Sequence, residues 1–130
     1  MNKSENKFDT STLAFPIGTF AQALKVHQRT LRIWDKEGIL VSKRTAKNRR
    51  YYTVDDLKRG ELVLFFTRNL ALNISGIKII FAILDEGNLS ESEKLNYIKS
   101  MAKKANISEE EQQNNILKIS SKGRKPSNNE

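Results

Sequence analysis

The chain contains no cysteine. Disulfides, thiolate metal sites and thiol-based redox or heavy-metal sensing are therefore excluded. Histidine is nearly absent as well, with His27 the single example. One histidine and scattered carboxylates offer no nucleophile and base constellation, so neither an enzyme nor a cofactor or metal site is expected. Long hydrophobic runs are missing. The longest, Ile77 to Leu84, is interrupted by Lys78 and is far too short to span a bilayer. The opening MNKSENKFDTST is polar and lacks the apolar core of a signal peptide, which makes the cytoplasm the expected location. No internal repeat is present.

What the chain does have is positive charge in one place. Its 130 residues carry a formal charge of +8. Residues 25 to 60 hold eleven Lys or Arg against four Asp or Glu, a local excess of +7. Such a concentration suits a face that meets a polyanion. These charges flank helix and turn signals, which distinguishes them from a featureless solubilising run.

The apolar pattern divides the chain into short elements. Residues 1–14 read as a disordered polar arm. Phe15-Pro16 opens a helix with Ile17, Phe20, Ala21 and Leu24 on one face. Lys25, Val26 and His27 form a turn, with His27 at an N-cap position. A second helix runs from about Gln28 to Lys36. Its Leu31 and Trp34 point inward, and Gly38 suits the left-handed residue that ends many helices. Two short helices joined by a three-residue turn make a helix-turn-helix. Lys43 to Thr45 and Arg50 to Tyr52 then read as two tiny strands around the loop Ala46 to Arg49, a hairpin that must lean on the helices. Thr53 caps a third helix continuing to about Arg68, in which Gly60 implies close packing or a bend. Asn73 caps a fourth helix with Ile77, Ile80, Phe81 and Leu84 on one stripe, closed by Gly87. Residues 88–119 read as a tail of two short helices, the second starting at a Ser108/Glu111 capping box and ending near Ile119. Residues 120–130 read as a disordered basic terminus.

Four blocks, FPIGTFAQAL, VHQRTLRIWDKEGIL, TAKNRRYYTVDDL and NISGIKIIFAIL, give residues 15–84, within a domain read as 15–87, a resemblance to the DNA-binding domain of the MerR family of bacterial transcription regulators. They occur in family order and with family spacing. The resemblance implies a mainly α-helical, winged helix-turn-helix fold with a small two-stranded β-hairpin wing and a helical C-terminal tail. Within the family, the TLR-centred and NISGIK blocks resemble small heat-shock repressors of the HspR type. FPIG and NRR resemble nitrogen-metabolism repressors of the GlnR and TnrA type. The histidine-led VHQRTLR favours the first group.

The resemblance also implies roles. Residues 28 to 36 would enter the major groove of double-stranded DNA on the nucleoid. Arg29, near the helix start, would read a base edge through two parallel bonds, helped by Gln28 and Thr30. Arg32 would neutralise phosphate. In the wing, Arg49 and Arg50 would reach the backbone or the minor-groove edge, with Arg44, Lys47 and Tyr51 as further phosphate contacts. Trp34 has two readings, an indole N–H donated to phosphate or core packing. The family often has aromatic residues at positions 33 and 34, and here position 33 is Ile.

MerR-type proteins act as twofold dimers on inverted repeats, so a homodimer is expected, with a protein co-repressor as a further partner. Most of the family dimerise through one long C-terminal helix. This tail lacks sustained heptads, so residues 92–105, the fourth-helix stripe with Phe81, or residues 1–14 are the candidate surfaces. Repression by occupancy then follows more simply than promoter twisting. A winged-helix excisionase or architectural protein is the alternative reading, and a basic module for an acidic protein partner is another. Lys122-Gly123-Arg124-Lys125-Pro126 resembles an AT-hook peptide, but a plain basic tail is the simpler account.

Overall fold

The computed structural model describes residues 13–123. The expected polar arm, apart from residues 13 and 14, and the end of the basic tail lie outside them. Strand β1 (Phe15–Pro16) leads into α1 (Ile17–Leu24) and α2 (Gln28–Lys36). Strands β2 (Lys43–Arg44) and β3 (Arg50–Tyr52) follow. Then come α3 (Val54–Leu64), a π-helical turn (Phe65–Asn69), α4 (Ile74–Asp85), α5 (Glu91–Lys104) and α6 (Glu109–Gly123).

The first helix pair forms where the apolar spacing places it. Phe20, Ala21 and Leu24 of α1 and Leu31 and Trp34 of α2 are buried. Both helices end through a left-handed residue. At α1 that residue is Lys25, φ 59°, and the N–H of Val26 reaches Ala21 O at 3.0 Å. At α2 it is Gly38, φ 77°. There the N–H of Ile39 bonds Trp34 O at 2.9 Å and that of Gly38 bonds Asp35 O at 3.1 Å. This pair of bonds satisfies carbonyls that a helix end leaves open. His27 is the N-cap of α2 without a side-chain cap bond.

The sheet has three strands, one more than the expected hairpin. Residues 15 and 16, assigned from sequence to the opening of a helix, pair antiparallel with β3 as Phe15↔Tyr52 and Pro16↔Tyr51. On its other side β3 pairs with β2, giving the order β1-β3-β2. A two-stranded ribbon is marginal alone, and a proline, lacking an N–H, is accommodated at a sheet edge. Tyr52 then stacks on Phe20 with ring centroids 4.2 Å apart and 7° between planes, fixing the sheet to α1.

Thr53 and Asp56 close a reciprocal capping box at the start of α3. Gly60 is the close-packing point: a Cβ there would lie 2.5 Å from Leu24 Cδ1. The third helix does not run unbroken to Arg68. From Phe65 its hydrogen-bond ladder widens, with Leu70 N–H bonding Phe65 O at 3.1 Å. This register change buries Phe66, which meets Phe81 of α4 edge to face at 5.4 Å. Asn73 caps α4 by accepting from the Gly76 N–H.

Helix α5 starts in a second capping box, Ser90 with Glu93, and buries Ile98 and Ala102. Its contact with α3 makes it part of the main core. Helix α6 rests on the π-helical turn through two amide bonds, Asn69 Nδ2 to Gln112 Oε1 at 3.0 Å and Asn115 Nδ2 to Asn69 O at 2.8 Å. It extends past Ile119 to Gly123. Lys122 and Gly123 of the basic motif are therefore helical, and Arg124 to Pro126 lie outside the described residues.

A polar hub ties these layers together. Arg59 of α3 donates its Nε to Ile39 O at 2.7 Å. Its terminal nitrogens face Asp85 at 3.3 Å and Glu91 at 3.5 Å, and its guanidinium lies 3.7 Å from the Phe81 ring centroid. Lys94, only 6% exposed, bonds Asp85 at 2.8 Å and Glu91 at 3.1 Å. Burying a lysine is tolerable because both partners are anionic. Burial alone would raise the Asp85 pKa, but its bonds to Lys94 and Arg59 and their charges outweigh this and hold it below its ordinary value.

Candidate nucleic-acid interface

The inward direction of α2 is set by Leu31 and Trp34. At 3.6 residues per turn the opposite side carries Arg29, Arg32, Ile33 and Lys36, all exposed, with Gln28 beside them. Thr30 is half-buried at the flank. Arg32 Nη2 donates to Gln28 Oε1, one turn back on the exposed face, at 3.2 Å. Arg29 makes no side-chain hydrogen bond or ion pair with the described residues. Trp34 packs in the core beside Leu31, with the residue 4% exposed.

The wing tip is built by a threonine that the sequence reading passed over. Thr45 Oγ1 accepts from the N–H groups of Lys47 at 3.2 Å and Arg49 at 3.1 Å. The backbone closes between Thr45 and Arg49, and Asn48 adopts φ 65°. Arg44 Nη1 bonds Asn48 O at 3.1 Å, which makes Arg44 a strut of the tip. Lys47 and Arg49 are exposed and carry the tip's unengaged charge. Tyr51 is half-buried.

Arg50 stands apart from the other wing cations. Side chains along a strand alternate in direction, so Arg50 shares the inward side with Tyr52. Its Nε donates to Asp35 Oδ2 at 3.0 Å, and Ser42 Oγ donates to the same oxygen at 2.5 Å. One carboxylate of α2 thus holds both the start of the wing and its returning strand. Burial would raise the Asp35 pKa; the bonds from Ser42 and Arg50 and the arginine charge prevail, and the net shift is downward. Burial pushes the neighbouring Tyr52 phenol up. A second clamp joins Lys43 Nζ to both oxygens of Asp56, at 3.0 and 2.9 Å, linking β2 to the capping residue of α3.

Neither clamp was visible in the sequence. Asp35 reads there as one more surface charge, Ser42 carries no motif, and the partners lie 7 to 15 positions apart. The arrangement brings Gln28, Arg29, Arg32, Lys47 and Arg49 onto elements fastened side by side. It gives Arg44 and Arg50 internal partners and places Trp34 inside. Among the described residues no three His, Asp or Glu side chains converge as a metal ion would need. No helix among them is long and apolar enough to cross a membrane.

Residues 15–83 match the MerR HTH family regulatory protein family. Among solved structures, a MerR-family transcriptional regulator from Bacillus cereus is 30% identical, with a TM-score of 0.52 over 84% of this chain and 76% of that one. HiNmlR, a MerR family regulator lacking the sensor domain and solved bound to promoter DNA, is 22% identical. Its TM-score is 0.57 over 83% of this chain and 87% of that one, a likeness of fold. Comparison with curated proteins gives no significant match.

Proposed function

Because the chain belongs to the MerR HTH family of regulatory proteins, we propose that it is a sequence-specific regulator of transcription, a repressor that occupies an inverted-repeat operator as a homodimer. The observation that carries this reading is the shared carboxylate of Asp35. It ties the wing to α2 through Ser42 and Arg50, so the α2 cations and the wing cations are carried on elements fastened to each other. A helix in the major groove with a basic finger beside it presents charge at two places on one duplex.

Arg29 reads a base edge, with Gln28 and Thr30 as helpers. Arg32, Lys47 and Arg49 neutralise phosphates. Arg44 and Tyr51 shape the tip and flank it. Arg50 keeps its Nε on Asp35 while its terminal nitrogens face the backbone. The likeness of four sequence blocks to small repressors of the HspR or GlnR type favours repression by occupancy.

A dimer would use apolar surface that the protomer leaves open. Ile98 and Ala102 of α5 and Phe81 of α4 are already spent on the core. Ile79 and Ile83 of α4, Tyr97 of α5, and Leu117 and Ile119 of α6 are exposed.

Selection of bound fragments from random and genomic DNA by the purified protein tests the proposal. An enriched inverted repeat, bound with two protomers per site, is expected. Failure to retain any duplex in dilute buffer overturns it.

A further inference from the structure

Four side chains form the outward face of α2, and one of them is out of character. Ile33 is 45% exposed, one turn beyond Arg29, next to Arg32 and three positions before Lys36. Residues three and four apart on a helix have Cβ atoms about 5–6 Å apart, so the isoleucine sits inside the cationic patch, not at its border. It contributes nothing to the core, which Leu31 and Trp34 reach from the other side. A β-branched side chain left in water among three cations gains nothing in the free protein.

We propose that Ile33 is a specificity-determining residue that reads the 5-methyl group of a thymine in the major groove. This deepens, and rests on, the reading of α2 as the helix that enters that groove. The surrounding charge fits a duplex and does not fit an apolar protein patch. Of the base edges exposed in the major groove, thymine alone adds a methyl group, and apolar contact with that methyl is one way the base is recognised. Arg29, one turn earlier, addresses a hydrogen-bonding edge. Together the two side chains read adjacent base steps by different chemistry: one by paired donors, the other by an apolar contact. The branched γ carbons of Ile33 have little rotamer freedom in a helix, which makes the contact selective in position.

The test uses the full chain and the operator recovered by fragment selection. Each thymine in turn is replaced by uracil, which removes only the methyl group. For the wild-type protein, one thymine per half-site is expected to matter, with affinity falling about fourfold for each methyl lost, the transfer value of one carbon group. Ile33→Ala, at an exposed position, is expected to keep its melting temperature. It should bind the thymine and uracil versions of that position alike. Uniform indifference of the wild type to uracil overturns the inference while leaving the DNA-binding reading intact. So does methyl sensitivity that persists in Ile33→Ala. If selection recovers no preferred sequence, the reading of α2 itself fails, and the inference with it.

Discussion

Arg50 and Asp35 lie fifteen positions apart in the chain and 3.0 Å apart in space. The pair converts a wing cation into a fastener, and it sets the angle between the hairpin and α2. Both side chains are mostly buried, at 26% and 16% exposure, so solvent screens the contact only in part. Removing Asp35 would take a negative charge away from a surface proposed to bind a polyanion. Electrostatics alone then predicts tighter binding. The clamp predicts the reverse. Asp35→Asn is expected to lower stability by about 1.5–3 kcal/mol, the range for a hydrogen bond to a charged group, and to weaken operator binding despite the gained charge. Chemical denaturation and a binding titration on one preparation decide between them.

The proposed roles of Arg29 and Arg49 separate reading from holding. Arg29→Ala is expected to relax preference at one base position at a cost of about 1–3 kcal/mol there. Arg49→Ala should weaken all duplexes alike and lower the slope of log affinity against log salt by about one. Titrations on cognate and random duplex at several salt concentrations check both. Identical behaviour of the two variants would show that this division of labour is wrong.

Gly60 opposes helix propensity. Alanine there would normally favour a helix by about 1 kcal/mol. Here its methyl would fall 2.5 Å from Leu24 Cδ1, 3.3 Å from Cδ2 and 3.4 Å from Cγ. Overpacking of this kind costs about 1–3 kcal/mol, so Gly60→Ala is expected to lower the melting temperature. In a Leu24→Ala background the same change should be neutral or stabilising. That coupling is measured by a double-mutant cycle.

Arg59→Met should cost about 3 kcal/mol in denaturant unfolding, in the range for breaking a mostly buried ion pair. The change leaves Ile39 O and Glu91 short of a donor and gives up the contact over Phe81. Lys94 still bonds Asp85 and Glu91, which keeps the loss below that of stranding both acids.

Stability should also depend on acidity in a defined direction. Asp35 and Asp85 both have folded pKa values below the ordinary 3.8. The unfolded chain therefore binds protons first as pH falls. The stabilisation is complete above about pH 5, declines as pH drops through the unfolded value and is gone below the folded ones. Lys94 is shifted up from 10.5, so its contribution is full below that value and disappears as pH rises through the folded one. Thermal melts across pH check both limbs; Asp35→Asn should flatten part of the acid limb.

Much of the scaffold was legible because short-range chemistry specifies it. Gly38 ends α2, Thr53 and Asn73 cap their helices, and the inward pair Leu31 and Trp34 orients the second helix. The third strand was not legible, because two residues carry no periodicity and Phe15-Pro16 also suits a helix start. Nor was the π-helical turn, whose place depends on long-range packing such as that of Phe66 on Phe81 and carries no local sequence signal. At the candidate interface the cations could be found from charge alone, but not their partners. Arg44, Arg49 and Arg50 look equivalent in sequence. Only the strand's alternation and the position of Asp35 give Arg50 an inward partner and leave Arg49 in solvent.

The guanidinium of Arg59 gives the molecule one more property. It bonds the carbonyl of Ile39, in the short link between α2 and the wing, and also the acids that hold Lys94 of α5. One planar cation thus ties the link between α2 and the wing to the acidic pair that anchors the start of α5. Replacing Arg59 would therefore loosen both contacts at once, at the start of α5 and in the segment that leads into the wing.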